Sequence, residues 1–309
     1  MASTHSAVTS APPNTRRKSK LKRNEALTGW AFVLPELLGF SIFTFFSIGY
    51  SFYISLTKYE LLTPPAFIGL RNYARLLQDP RFLKFLGNTV YYVIWLVPIV
   101  LVFSMALAIG INVKTKFLTG LYRTALFLPC ITSTIAISLV WIWILNPDVG
   151  LINTVLRGIG IHNPPRWLES TTWAKPALIV MRVWQMSGYY MIIFLAGLQV
   201  IPESLYEAAE VDGASRWQKT IHITVPMLAN ITFVVSIMLV IEAFNIFEAV
   251  FVMTEGGPLG STNTLMYYIY QLGFQNYNMG YASAVAWVLF IILLAVTLIQ
   301  YAFRREQKA

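Results

Sequence analysis

The chain has 309 residues, 56% hydrophobic and only 12% charged, with a formal net charge of +9. A soluble domain carries about 25% charged residues, so this deficit points to lipid as the main solvent and argues against a soluble enzyme. The single cysteine, Cys130, excludes an intrachain disulfide and a thiolate cluster, and His5, His162 and His222 are too scattered for a metal site.

Residues 1–26 are rich in Ser, Thr and Pro and then basic ("RRKSKLKR"), which predicts a disordered cytoplasmic tail. The apolar run that follows is too long for a signal-peptide core. Six stretches can cross a bilayer, at roughly 29–55, 88–111, 121–145, 175–201, 224–252 and 281–303. An all-α, polytopic membrane protein with about six spans is therefore expected over 27–309. Pro35, Pro98 and Pro129 fall inside spans, where neighbouring helices can satisfy the freed carbonyls. Lys and Arg favour the tails and the second and fourth loops, which places both termini in the cytoplasm. Lys58, Arg71, Arg75, Arg81 and Lys84 crowd the first outer loop, which is long enough to form a small external helix. The basic residues sit in tails and short loops, a distribution that fits membrane orientation and not a nucleic-acid surface.

The fourth loop, about 202–226, is a polar island between apolar runs. Pro202 and Glu203 start a helix, Gly213 breaks it, "ASRWQKTIHIT" begins a second, and Pro226 leads into the next span. Such a helix–Gly–helix unit along the membrane surface is compact enough to dock into a groove on another protein.

Within the spans, ionisable groups are expensive and default to function. Arg182 in the fourth span and Glu242 in the fifth lie at nearly the same depth, roughly 10–12 Å from the outer ends. Arg182, Gln185 and Tyr189 share one helix face, and Glu242 and Asn245 another. Two roles stay open for them: an ion pair bracing two helices, or a polar lining for a sugar, whose hydroxyls need donors and acceptors and whose C–H faces need an aromatic surface. Trp141, Trp143, Tyr50 and Tyr53 lie near span ends and suggest an interfacial belt.

The run Glu207-Ala208-Ala209, Asp212-Gly213, Ile223 and Pro226 resembles the EAA loop of ATP-binding-cassette importer permeases, with Val225 where that family favours Leu. Residues 67–92 and 252–274, the latter carrying Gly256-Gly257-Pro258 and Thr264-Leu265, are similar to segments of the maltose-type carbohydrate permeases. The resemblance implies a multi-pass permease of the bacterial plasma (inner) membrane that forms a heterodimer with a second, homologous permease. It implies two copies of a cytoplasmic ATPase, which would carry ATP and Mg, and an extracytoplasmic solute-binding protein that delivers a carbohydrate. It also sets Trp184 and Tyr189 at sugar-contacting positions, while Arg182, Glu242, Ala243 and Ile246 replace maltose-contacting residues, so a different saccharide is expected, acidic or not. No G-x-x-x-x-G-K-[ST] loop occurs, so ATP hydrolysis, and with it any catalytic residue or cofactor, is expected outside this chain. The competing readings are an ion-coupled secondary transporter, for which Glu242 alone is thin support and no two-half repeat is evident, and a membrane-embedded glycosyl- or acyltransferase, which would need a cluster of acidic residues or His at one membrane face.

Overall fold

Asp79-Pro80 is a strong helix start. The Asp79 side chain accepts a hydrogen bond from Arg81 N–H at 2.9 Å, and proline at the first position loses only an N–H that has no intrahelical partner. From there a helix runs unbroken over Pro80–Ile111, so the second span begins before the apolar run expected at 88–111. This computed structural model describes residues 15–112 and 116–306. The chain divides between Tyr53 and Ile54 into two units.

The first unit contains most of the first span, Arg23–Ser55, with one π-helical turn at Phe40–Phe45. The helix is already formed at Thr15, inside the stretch expected to be disordered, and residues 1–14 lie outside the described residues.

In the second unit, the loop after the first span forms a two-residue strand pair, Thr57–Lys58 against Ala66–Phe67, followed by the expected small helix, Arg71–Gln78. Buried Asn72 docks that helix, its amide donating to the carbonyls of Ser55 (2.8 Å) and Thr57 (2.9 Å). The fourth span, Ala174–Leu198, is continuous, and the last covers Met279–Arg304. Among the described residues four helices are long and apolar enough to cross a membrane, and six if each of two bent pairs is one span.

Those bends correct two expected continuous helices. The third span is Gly120–Ile131 and Thr134–Ile144, bent by 98°. Pro129 lacks an N–H, Thr132 turns its hydroxyl back to the Leu128 carbonyl at 3.0 Å, and Ser133 adopts an extended ψ of 131°. The stretch expected as 224–252 is instead Arg216–Met227 and Ala229–Phe244, bent by 67°, then a second break and a short helix, Glu248–Met253. Pro226 lies at the first break. At the second, the Asn245 amide donates to the Ile241 carbonyl at 2.8 Å, and Thr264 Oγ1 donates to the Ile246 carbonyl at 2.8 Å.

The core joins the second, fourth and fifth spans through buried side chains such as Tyr92, Leu96, Phe194 and Leu239. Gly188 permits a close crossing: a Cβ there would overlap the carbonyl oxygen of Leu126, in the third span. A second cluster, including Phe85, Phe244 and Tyr281, seats the last span. Buried polar groups fasten the loop before it. Asn88 donates to the carbonyls of Gly260 (3.0 Å) and Asn263 (2.9 Å), Thr89 Oγ1 accepts from Leu265 N–H at 3.0 Å, and Lys175 Nζ donates to Asn88 Oδ1 at 3.1 Å.

Asp79 completes this fastening by accepting from the hydroxyls of Tyr268 (2.7 Å) and Tyr281 (2.8 Å). Burial works against its charged form, but these hydrogen bonds and those from Arg81 and Phe82 N–H outweigh it and hold the carboxyl below its ordinary value of 3.8. A lowered folded-state pKa means stability that is present above the unfolded-state value and lost as pH falls through the folded one. The detergent-purified protein should therefore lose thermal stability as pH drops below about 4. Asp79→Asn should be less stable at pH 7 and show a flatter acid limb in a thermal-shift series.

Candidate functional site

Two of these three breaks, the bend of the third span and the one after Phe244, open onto one cavity of about 770 Å³. Cys130 and Thr134 reach it from the bend in the third span, and Asn245, Phe247 and Glu248 from the second break after the fifth. The fourth span contributes Arg182, Gln185 and Tyr189, and the fifth contributes Glu242. Five of the six residues singled out from the sequence for a substrate path thus converge.

Their order is set by one chain of polar contacts. Arg182 Nη1 donates to Gln185 Oε1 at 2.8 Å, one turn along the same helix, and Arg182 Nη2 reaches Glu242 Oε2 at 3.3 Å. Gln185 Nε2 donates to Thr134 Oγ1 at 3.1 Å. Three spans are tied together in this way. The ion pair is asymmetric: the Arg182 side chain is 12% exposed and that of Glu242 is 53% exposed. Arg182 Nε is buried and has no hydrogen-bond partner. Pair and lining are therefore the same object, since Arg182 braces from the cavity wall while Glu242 and Glu248 face the cavity. Tyr189, 40% exposed, supplies a ring face beside them.

Trp184 is the exception. It turns away into a separate apolar cavity of about 560 Å³, where its ring lies 5.9 Å from that of Trp141. Trp141, half-buried, thus packs against Trp184 from the third span. Sequence reasoning missed Thr134, Phe247 and Glu248. The polar run Thr132-Ser133-Thr134 after Pro129 signals the bend of the third span. The break after Phe244 has no comparable signal, because Asn245 is followed by apolar Ile246 and Phe247.

The polar loop is a formed surface element. Pro202 precedes a helix over Glu203–Val211, Asp212 ends it, and Gly213 adopts φ +77°, which L side chains rarely take. The reversal closes through Gly213 N–H to the Glu210 carbonyl (3.0 Å) and Ala214 N–H to that of Ala209 (2.8 Å). A capping box between Ser215 and Gln218 starts the next helix. The two arms are cross-linked by Lys219 Nζ to Glu210 Oε1 at 2.6 Å and by a hydrogen bond between Tyr206 and Thr224 at 3.0 Å. Glu207, Ala208, Asp212 and Pro226 are exposed, Ala209 and Ile223 half-buried, and Val211 is 89% exposed.

Residues 73–308 match the family described as the binding-protein-dependent transport system inner membrane component. The probable ABC transporter permease protein YesP of Bacillus subtilis (strain 168) is 39% identical over 92% of this chain and 93% of that protein. The lactose transport system permease protein LacF of Rhizobium radiobacter is 36% identical over 95% of this chain and 99% of its own. Among solved structures, a bacterial ABC transporter involved in import of the acidic polysaccharide alginate has the same fold, with a TM-score of 0.79 at 24% identity over 94% of this chain and 99% of that one.

The unequal burial of the ion pair fixes the sign of a mutational asymmetry. Glu242→Met strands a buried guanidinium and should destabilise by about 1–3 kcal/mol. Arg182→Met leaves a half-exposed carboxylate that water can solvate and should cost less. The double variant should recover part of the Glu242→Met loss, read as midpoints of thermal unfolding in detergent.

Proposed function

We propose, for a chain that belongs to the family of binding-protein-dependent transport system inner membrane components, that it forms the translocation path of an ATP-driven carbohydrate importer. The observation that carries this reading is the cavity. It joins hydrogen-bonding groups (Arg182, Gln185, Glu242, Asn245) to aromatic faces (Tyr189, Phe247) at the breaks of two spans, the mixture a polyhydroxylated ring needs. Relatedness to a lactose permease supports the same class of cargo. Arg182 is already compensated by Glu242, and Glu248 adds a second carboxylate facing the cavity. That charge balance favours an uncharged saccharide over an acidic one.

ATP hydrolysis belongs to a separate subunit. The exposed face of Glu207, Ala208 and Asp212 is the element that docks into it. Gly213 makes the reversal, and Ile223 and Pro226 carry displacement into the fifth span. The full assembly is this chain, a second homologous permease, two ATPase copies and an extracytoplasmic binding protein, with both termini of this chain in the cytoplasm.

Reconstituted with those partners, the protein should import lactose or maltose only with ATP present, and import an alginate oligosaccharide at least tenfold less well. Uptake driven by an ion gradient without the ATPase would overturn the reading. Gly213→Pro, which cannot adopt a positive φ, and Glu207→Lys should leave the permease folded and reduce sugar-stimulated ATP hydrolysis at least tenfold. Unchanged stimulation would refute the docking role. The Arg182→Met/Glu242→Met double variant should regain part of the stability lost in Glu242→Met but not transport.

Sidedness is testable with cysteines at the exposed positions Leu259 and Val211 in a Cys130→Ser background, expressed without the ATPase. An impermeant thiol reagent added to intact cells should label the first and not the second.

A further inference from the structure

One feature of the cavity wall continues beyond it. Phe247 lines the cavity, and its ring lies 5.1 Å from that of Tyr270. The Tyr270 ring stacks 5.5 Å from that of Phe274 at an interplanar angle of 27°, and Phe274 is 63% exposed. Phe251 stacks on Phe247 at 5.5 Å and an angle of 14°, which backs the strip from the side of the short helix. Met266, Tyr270 and Phe274 follow one another every four residues, and Met266 lines the cavity as well. Ring follows ring from the cavity to an exposed surface. The π-helical turn Gln271–Gln275 spans the Tyr270–Phe274 step.

We propose that this strip is a saccharide-binding surface, an aromatic extension of the cavity over which sugar rings pass on their way in. The proposal rests on the carbohydrate-import reading. Two observations select a sugar over a lipid chain or a partner helix as the occupant. The strip consists of ring faces with exposed amides at its outer end, where Gln275 and Asn276 follow the exposed Phe274 directly in the chain. It is also continuous with the polar cavity through Phe247. A sugar presents C–H faces and a hydroxyl rim, and this surface offers rings flanked by amides. A surface meant for lipid has no use for the amides.

The test uses the whole reconstituted complex with its binding protein, and lactose and maltose as probes. Phe274→Leu and Tyr270→Leu keep apolar area but remove the ring face, and each should raise the KM for uptake about three- to tenfold. Phe274→Trp should restore the wild-type value. Saturation transferred from aromatic protons to the sugar C–H protons, measured on the purified complex, should fall in the leucine variants. Phe290→Leu, which removes an exposed ring on the last span, should change neither readout. Wild-type KM and undiminished saturation transfer in both leucine variants would overturn the proposal. So would loss of the second permease from purified Phe274→Leu complexes, which would make the strip a subunit contact. Failure of the import reading would show differently: the wild-type complex would import none of lactose, maltose or the alginate oligosaccharide with ATP, and the strip would fall with it.

Discussion

In hydrocarbon, a backbone N–H or C=O that leaves its helix has no water to turn to, so a span can break only where side chains or other segments take over its hydrogen bonds. The architecture of this chain follows from where that substitution is made. Thr132 bonds back to the Leu128 carbonyl beside the bend of the third span. Asn245 and Thr264 serve the carbonyls of Ile241 and Ile246 at the break after Phe244. Both breaks face the same space, and the residues they free from regular helix (Thr134, Asn245, Phe247, Glu248) line the cavity. Polar side chains that would be costly along an intact span sit there at an open cavity, and Thr134 and Asn245 are hydrogen-bonded as well.

Arg182 shows how such a group is kept. Its guanidinium is shared between Gln185 on its own helix and Glu242 on the next, and Gln185 in turn holds Thr134 at the bend of the third span. The buried cation therefore fixes the relative positions of three spans and at the same time sets the charge of the cavity they enclose. Bracing and lining are not alternatives at this site. The fourth span is the unbroken member of the three, and Gly188 lets the third cross it at backbone distance, within one turn of Gln185.

At the polar loop the same economy is met with different means. There the chain is exposed, so rigidity comes from local bonds: the reversal at Gly213, the Ser215–Gln218 capping box, the Glu210–Lys219 ion pair and the Tyr206–Thr224 hydrogen bond. The exposed face of Glu207, Ala208 and Val211 is presented by a unit that is already folded. An exposed ion pair of this kind contributes little by itself, and the cross-linking depends on several such contacts acting on one short segment. On the proposed function, a stiff loop feeding the fifth span through Pro226 would pass displacement at the membrane surface towards the break after Phe244, where the cavity lies.

Much of this was legible in the residues alone. Apolar runs of sufficient length marked the spans, because hydrocarbon thickness sets a minimum length that composition reveals directly. Pro202, Gly213 and Pro226 marked the polar loop, because each acts on its own backbone. Arg182, Gln185, Tyr189, Glu242 and Asn245 stood out because an ionisable or amide group inside a span is rare. Tertiary structure decided the rest. Hydropathy averages over a window and does not register a 98° bend, so the breaks in the third and fifth spans were read as continuous helix. Trp184 shares a helix with Arg182 and Gln185, but which cavity it enters depends on Trp141 in another span. The strip from Phe247 to Phe274 joins rings 27 positions apart in the chain, across the loop that Asn88, Thr89 and Asp79 fasten down. Local sequence determines whether a segment prefers lipid, helix or turn. Which side chains meet across segments is set by packing between them, and that information is not local.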